Sequence, residues 1–201
     1  MRIELICEAI DLARCRGGLG GGKIHSLQEA ARAARYGAML RIGAALGIEK
    51  IAVGHTADDQ AETVLMWMIR GSGPAGLAGI PSARDAGIIR PLLSITRAEV
   101  LAYLRAEGLA FRTDSTNAKP LYVRNRIRRD LMPVLKRFNP SIVRVLTRQA
   151  DILREENAWL ERMAEERLAQ LARSLPDGGL AIDRQGLVAL LNPVLPVDLA
   201  F

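Results

Sequence analysis

Apolar residues recur along this chain at two spacings, giving a strand-helix rhythm in the first half and helices in the second. Ile3, Leu5, Cys7 and Ala9 alternate within residues 1 to 12, which reads as a strand, although Leu5, Ile6, Ala9 and Leu12 would serve a helix nearly as well. Gly17 to Gly22 reads as a flexible loop, and Ser26 with Glu29 forms a capping box for a helix that Gly47 ends. The run Ile51-Ala52-Val53-Gly54 reads as a short buried strand, after which Thr56 with Asp59 opens a second helix that Gly71 closes. Such a β-α-β-α succession predicts an α/β fold built on a parallel sheet.

Gly71 to Gly87 is rich in Gly and Pro and is expected to be a long loop without regular structure. Ile88 to Leu93 reads as a short extended piece, Thr96 with Glu99 opens a helix to Glu107 closed by Gly108, and Thr113 to Asn117 reads as a turn. A basic helix is expected from Leu121 to Phe138, with Pro133 kinking it or sitting in its last turn. Asn139 and Pro140 then start a long helix to about Ser174, with Leu146, Ala150, Leu153, Leu160, Met163 and Leu171 near a heptad seam. At about 1.5 Å per residue it spans roughly 50 Å and leaves the compact domain. Pro176 to Gly179 marks a break. The expected divisions are a sheet domain over 1-112, a basic turn and helix over 113-138, a long linker helix over 139-175 and the start of a further small domain over 176-201.

The 201 residues could hold one large domain or one and a half small ones. No apolar run reaches the length of a bilayer span and the first residues lack a leader pattern, so the expected compartment is the cytoplasm, with no membrane partner. Cys7 and Cys15 are not spaced for a metal knuckle and read as reduced thiols. The net charge of +6 matters through its placement: nine basic residues face the single Asp130 between Lys119 and Arg148. Only four of the 28 basic residues are lysines, and arginine forks suit phosphate, so a polyanion such as RNA is the expected partner.

His55-Thr56-Ala57-Asp58-Asp59-Gln60-Ala61-Glu62 concentrates three carboxylates and a histidine where a strand feeds a helix, the place where open α/β sheets bind ligands. Asp58 and Glu62 are spaced to share a helix face that could grip a cation, with Arg70 in the last turn. Equally, Asp58 and Asp59 could simply cap the helix and Glu62 be solvated. Gly17-Gly18-Leu19-Gly20-Gly21-Gly22-Lys23 imitates a phosphate loop, but Ile24 stands where the Mg²⁺-binding hydroxyl belongs, so it is read as a connection.

Taken together in order, Ser26 to Arg32 with Arg35-Tyr36, His55 to Leu65, Arg70-Gly71-Ser72-Gly73 with Gly76 to Ile80, Arg90-Pro91-Leu92, Asp114 to Asn117 and Arg124-Asn125-Arg126-Ile127-Arg128 with Pro133 resemble the tRNA(Ile)-lysidine synthases. The resemblance covers about residues 1 to 165. It implies a PP-loop, N-type ATP pyrophosphatase with a partial Rossmann-like parallel sheet of the adenine nucleotide alpha hydrolase type, followed by a helical region. It further implies ATP and Mg²⁺ as cofactors, and free lysine and a CAU-anticodon isoleucine tRNA as partners. The reaction would adenylate C2 of the wobble cytidine and let lysine displace AMP. Carried over by position, Arg35, Asp59 and Glu62 would be catalytic, His55, Asp58 and Arg70 substrate-binding, and Arg124, Asn125 and Arg128 in contact with ATP or tRNA, with no metal ligands assigned.

Physical chemistry fits that assignment. A lysine amine, pKa about 10.4, must lose a proton before attacking, and paired carboxylates can hold it and take that proton. Family members carry a Ser-Gly-Gly-x-Asp-Ser loop that grips the triphosphate, and no such string occurs here. The chain therefore resembles a version truncated at both ends and is expected not to hydrolyse ATP alone. The competing readings are a non-catalytic RNA-binding remnant and a related thiolation enzyme, the latter usually marked by C-x-x-C pairs that are absent here.

Overall fold

The computed structural model describes residues 5–10, 27–84, 87–111, 123–175 and 178–191. The glycine run, the Ser26 cap and the turn at 113–117 lie outside them. Contacts divide the chain into two units, Met1–Gln60 with Ile80–Thr113, and Ala61–Gly79 with Asp114–Phe201. No helix among the described residues is long and apolar enough to cross a membrane.

In the first unit, helix α1 (Leu27–Ala45) ends in a Schellman turn: Gly47 adopts φ +66°, Ile48 N–H donates to Gly43 O at 2.8 Å and Gly47 N–H to Ala44 O at 3.3 Å. Strand β1 (Ile51–Ala52) pairs in parallel with β3 (Ile88–Ile89), Ile51 opposite Ile88. On its other side β3 pairs antiparallel with β2 (Ala83–Arg84). Gly87 enters β3 at φ +75°, where a Cβ would stand 2.1 Å from Glu49 O, so only glycine lets the backbones approach so closely. The fold is thus mixed α/β, with a small sheet holding one parallel pair. Helix α2 (Ala57–Ile69) leaves β1 and crosses from the first unit into the second. Helix α4 (Arg97–Ala106) starts with the expected Thr96–Glu99 capping box.

Several expectations need correction: the extended piece expected over Ile88 to Leu93 is strand only at Ile88–Ile89, and the long helix expected from Asn139 and Pro140 to about Ser174 spans Ile142–Leu171. Residues 5–10 form no strand and are exposed, Leu5 at 84%, because no neighbouring strand among the described residues pairs with them. Strand β1 is not buried: Ile51 is half-buried and Ala52 exposed, since among the described strands only β3 pairs with it. The expected loop over 71 to 87 contains helix α3 (Pro74–Leu77) and strand β2. Pro74 at the first turn supplies a preset helical φ, which the count of helix-breaking residues concealed.

In the second unit the basic segment runs as α5 (Val123–Arg126), a π-helical turn (Ile127–Leu131) and α6 (Met132–Phe138). Pro133 is the cause: it has no N–H to donate and its ring crowds the preceding turn, so the ladder widens and Met132 N–H reaches Ile127 O. Asn139 Oδ1 accepts from Ser141 N–H at 2.9 Å just before α7 (Ile142–Leu171). Only the first part of α7 is buried, at Val143, Leu146, Thr147 and Ala150, where it packs on α3 and Arg154 donates to Ala78 O at 2.6 Å. Beyond it Leu160 is 52% and Trp159 54% exposed. A hairpin of β4 (Ala172–Ser174) and β5 (Leu180–Ile182) and helix α8 (Arg184–Leu191) follow.

Candidate functional site

Parallel pairing sets the carboxyl ends of β1 and β3 side by side, and the segment leaving β1 carries the candidates His55, Asp58 and Asp59. Thr56 is the N-cap of α2, its carbonyl accepting from Gln60 N–H at 3.1 Å. Asp59, at N3, accepts at Oδ2 from Thr56 N–H at 2.8 Å and from Thr56 Oγ1 at 3.0 Å, the backward half of a capping box. Asp58 accepts at Oδ2 from Arg97 N–H at 2.7 Å, satisfying an orphan donor at the first turn of α4. His55 Nδ1 accepts from Arg90 Nε at 3.3 Å, and Arg90 Nη1 donates to Pro81 O at 2.7 Å. Arg35 is exposed on α1.

Glu62 is 2% exposed, so the expectation of a solvated side chain fails. Its burial is compensated by two arginines of the basic segment, both in its own unit. Arg128 makes a fork, Nε to Oε1 at 2.5 Å and Nη2 to Oε2 at 2.9 Å, and Arg124 Nε reaches Oε2 at 2.9 Å. Arg124 and Arg128 are one helical turn apart, which is why both reach one carboxylate. They are 31% and 35% exposed, so this face is partly buried against Glu62. The opposite face, Val123, Ile127 and Leu131, lines with Ile69, Arg126 and Asp130 a cavity of about 290 Å³. Asn125 is half-buried. Arg70 is exposed, its guanidinium 5.3 Å from the centre of the Trp67 ring.

Two residues without an assigned role prove central. Gln60 is fully buried and binds Ile80 through both ends of its amide, accepting from its N–H at 2.6 Å and donating to its O at 3.2 Å. Arg90 is 3% exposed. A signal for Gln60 existed, because it shares the stripe of Ala57, Ala61 and Val64, all buried. No three His, Cys, Asp or Glu side chains among the described residues are placed to hold a metal. The carboxylates of α2 accept N–H donors instead, so these residues do not form a Mg²⁺ cage.

Comparison with known proteins adds the following. The PP-loop domain model matches residues 2–135. The tRNA(Ile)-lysidine synthase of Symbiobacterium thermophilum is 49% identical over 149 residues, covering 72% of this chain and 31% of that protein. That of Methylobacterium nodulans is 41% identical over 208 residues, covering 96% of this chain and 61% of that protein. The chain thus spans less than two thirds of the length of either relative. Among solved structures, the U34-tRNA thiolase NcsA from Methanococcus maripaludis with its 4Fe-4S cluster matches at TM-score 0.51 and 24% identity, covering 62% of this chain and 43% of that one. At that identity the likeness speaks for the fold alone.

Proposed function

The chain belongs to the PP-loop domain family, and from that premise we propose that it supplies the substrate side of an ATP-dependent tRNA modification. The reaction we infer is ligation of free lysine to C2 of the wobble cytidine, C34, of an isoleucine tRNA with a CAU anticodon, through an adenylated tRNA. The observation that carries this reading is the 49% identity to a tRNA(Ile)-lysidine synthase over 72% of the chain. The arginine-rich window from Lys119 to Arg148 supports an RNA partner.

In this reading Asp58 and Asp59 receive the lysine ammonium at the end of β1, and Asp59 assists its loss of a proton. An arginine such as Arg35 or Arg70 suits the phosphate charge that grows as pyrophosphate and then AMP departs. Both oxygens of Glu62 already accept guanidinium donors, so a lysine ammonium would compete there with two fixed cations. Glu62 therefore acts by setting the direction of Arg124 and Arg128, which with Asn125 contact nucleotide or RNA. Positioning supplies most of the effect, because the amine of lysine is itself the nucleophile. Mg²⁺ is assigned no protein ligand and no step.

The test joins a strand and Ser-Gly-Gly-x-Asp-Ser loop of the family type to the N-terminus of this chain, then follows pyrophosphate release and lysidine formation with ATP, lysine and tRNA transcript. The extended chain is expected to form lysidine, and the 201 residues alone to release no pyrophosphate. An extended chain that binds tRNA and transfers no lysine would replace this reading with the RNA-binding one.

A further inference from the structure

We propose that Tyr36 is a further ligand-binding residue, whose hydroxyl donates to an anionic oxygen at the carboxyl end of β1. The oxygen belongs to a phosphate of the adenine nucleotide or to the carboxylate of free lysine, and for those two candidates the inference rests on the reading just given.

Tyr36 is half-buried, yet its hydroxyl oxygen is wholly buried and has no hydrogen-bond partner among the described residues. A buried hydroxyl without a partner gives up its hydration and gains nothing in return, and native proteins keep few of them. The place of Tyr36 in the fold follows from that of Gly43. After the Gly47 turn the chain reverses, so α1 packs back along β1, and a Cβ on Gly43 would stand 3.1 Å from Ile51 Cδ1. Tyr36 precedes Gly43 by seven residues, close to two full helical turns, so it lies on the same sheet-facing side about 10 Å further along. From Ile51 three residues of extended chain, at about 3.3 Å each, cover that distance and bring Tyr36 level with Gly54, where β1 has ended. Helical side chains lean toward the N-terminus of their helix, which here is toward the carboxyl end of the strand and beyond it. The backbone leaves room at that level: a Cβ on Gly54 would meet nothing within 4 Å.

The surroundings choose the sign of the ligand. A phenol can donate or accept. Arg32 lies over the Tyr36 ring, its guanidinium carbon 5.1 Å from the ring centre, Arg35 is the preceding residue, and no acid occurs from Ala30 to Leu40. Asp58 and Asp59, on the segment leaving β1, each accept a backbone N–H. Two guanidinium groups on the turn of Tyr36 repel an ammonium and draw an anionic oxygen, toward which the phenol is the donor of a charge-assisted hydrogen bond.

The chain contains three tyrosines, so tyrosine labelled with ¹³C at Cζ gives three signals, and Tyr36→Phe identifies the one from Tyr36. The probes are AMP, L-lysine and 1,5-diaminopentane, which is lysine without its carboxylate. The Tyr36 signal is expected to move with AMP if the oxygen is a phosphate's, and with L-lysine but not 1,5-diaminopentane if it is the carboxylate's. No response to AMP or L-lysine, or an equal response to L-lysine and 1,5-diaminopentane with none to AMP, overturns the proposal. Tyr36→Phe is expected to weaken binding of the responding probe by about tenfold or more and to melt no lower than the parent, because it removes a hydroxyl that nothing in the chain pairs. Unaltered binding overturns the proposal, and a lower melt shows a hydroxyl paired within the chain and overturns it as well. In the loop-extended chain the same variant should raise KM for the responding ligand and leave KM for the other unchanged. An extended chain that makes no lysidine before any substitution refutes the proposed function and leaves the probe results on the 201-residue chain standing.

Discussion

The first two carboxylates of α2 and the third, one turn further on, are chemically alike and do different work. Asp58 and Asp59 accept backbone N–H groups at two helix starts, α4 and α2, and the favourable dipole there makes each a local stabiliser. Glu62 accepts side-chain donors from 62 and 66 residues along the chain and is buried with them. The difference teaches that carboxylate spacing identifies a helix face without identifying what the face binds. A capped aspartate trades one peptide donor for a few water molecules, whereas a buried glutamate makes its arginine partners obligatory.

The largest expected effect comes from breaking the second region. Glu62→Leu leaves Arg124 and Arg128 facing an apolar side chain, and removing one partner of a buried ion cluster costs about 3 to 5 kcal/mol. Their exposure of 31% and 35% puts the expected loss near the lower end, read as a fall in the denaturant midpoint at unchanged slope. Glu62→Gln keeps the shape and one acceptor and should lose less. A loss no larger than that of a surface change would return Glu62 to the solvated class.

Breaking the first region should cost less. Asp59→Ala removes the acceptor for Thr56 N–H and is expected to cost about 0.5 to 2 kcal/mol, and Asp59→Asn to recover most of it. If Asp59 instead proves more costly than Glu62, the ranking of the two regions is reversed. Thermal melts of the two Asp59 variants beside Glu62→Gln make that comparison directly.

Helix α2 itself and the Thr96–Glu99 capping box were legible because their determinants lie within four residues of each other. Pro133 announced an irregularity, and its form, a π turn, follows from the lost donor. The partners of Glu62 were not legible, since no periodicity links residue 62 to residues 124 and 128. The N-terminal alternation misled because a period of two describes a strand only where another strand offers hydrogen bonds, and residues 5–10 have none among the described residues.

A smaller effect separates holding from contacting within the basic segment. Arg126, Arg137 and Arg148 are exposed, whereas Arg124 and Arg128 hold Glu62. Alanine at each exposed arginine should flatten the log-log salt dependence of tRNA binding by about 0.7 to 0.9 and leave stability within about 0.5 kcal/mol of the parent. Changes at Arg124 and Arg128 should both lower stability and flatten the slope, because these two hold Glu62 and reach nucleotide or RNA as well. An unchanged slope in those variants would confine them to holding Glu62.

The most direct test of Glu62 as the holder of the two arginines is a double-mutant cycle on the 201-residue chain with Glu62→Gln and Arg128→Met, read by denaturant unfolding. A favourable coupling between about 0.5 and 3 kcal/mol is predicted, because the fork of Arg128 spans both oxygens of a buried carboxylate. Additive losses, with coupling indistinguishable from zero, would contradict it.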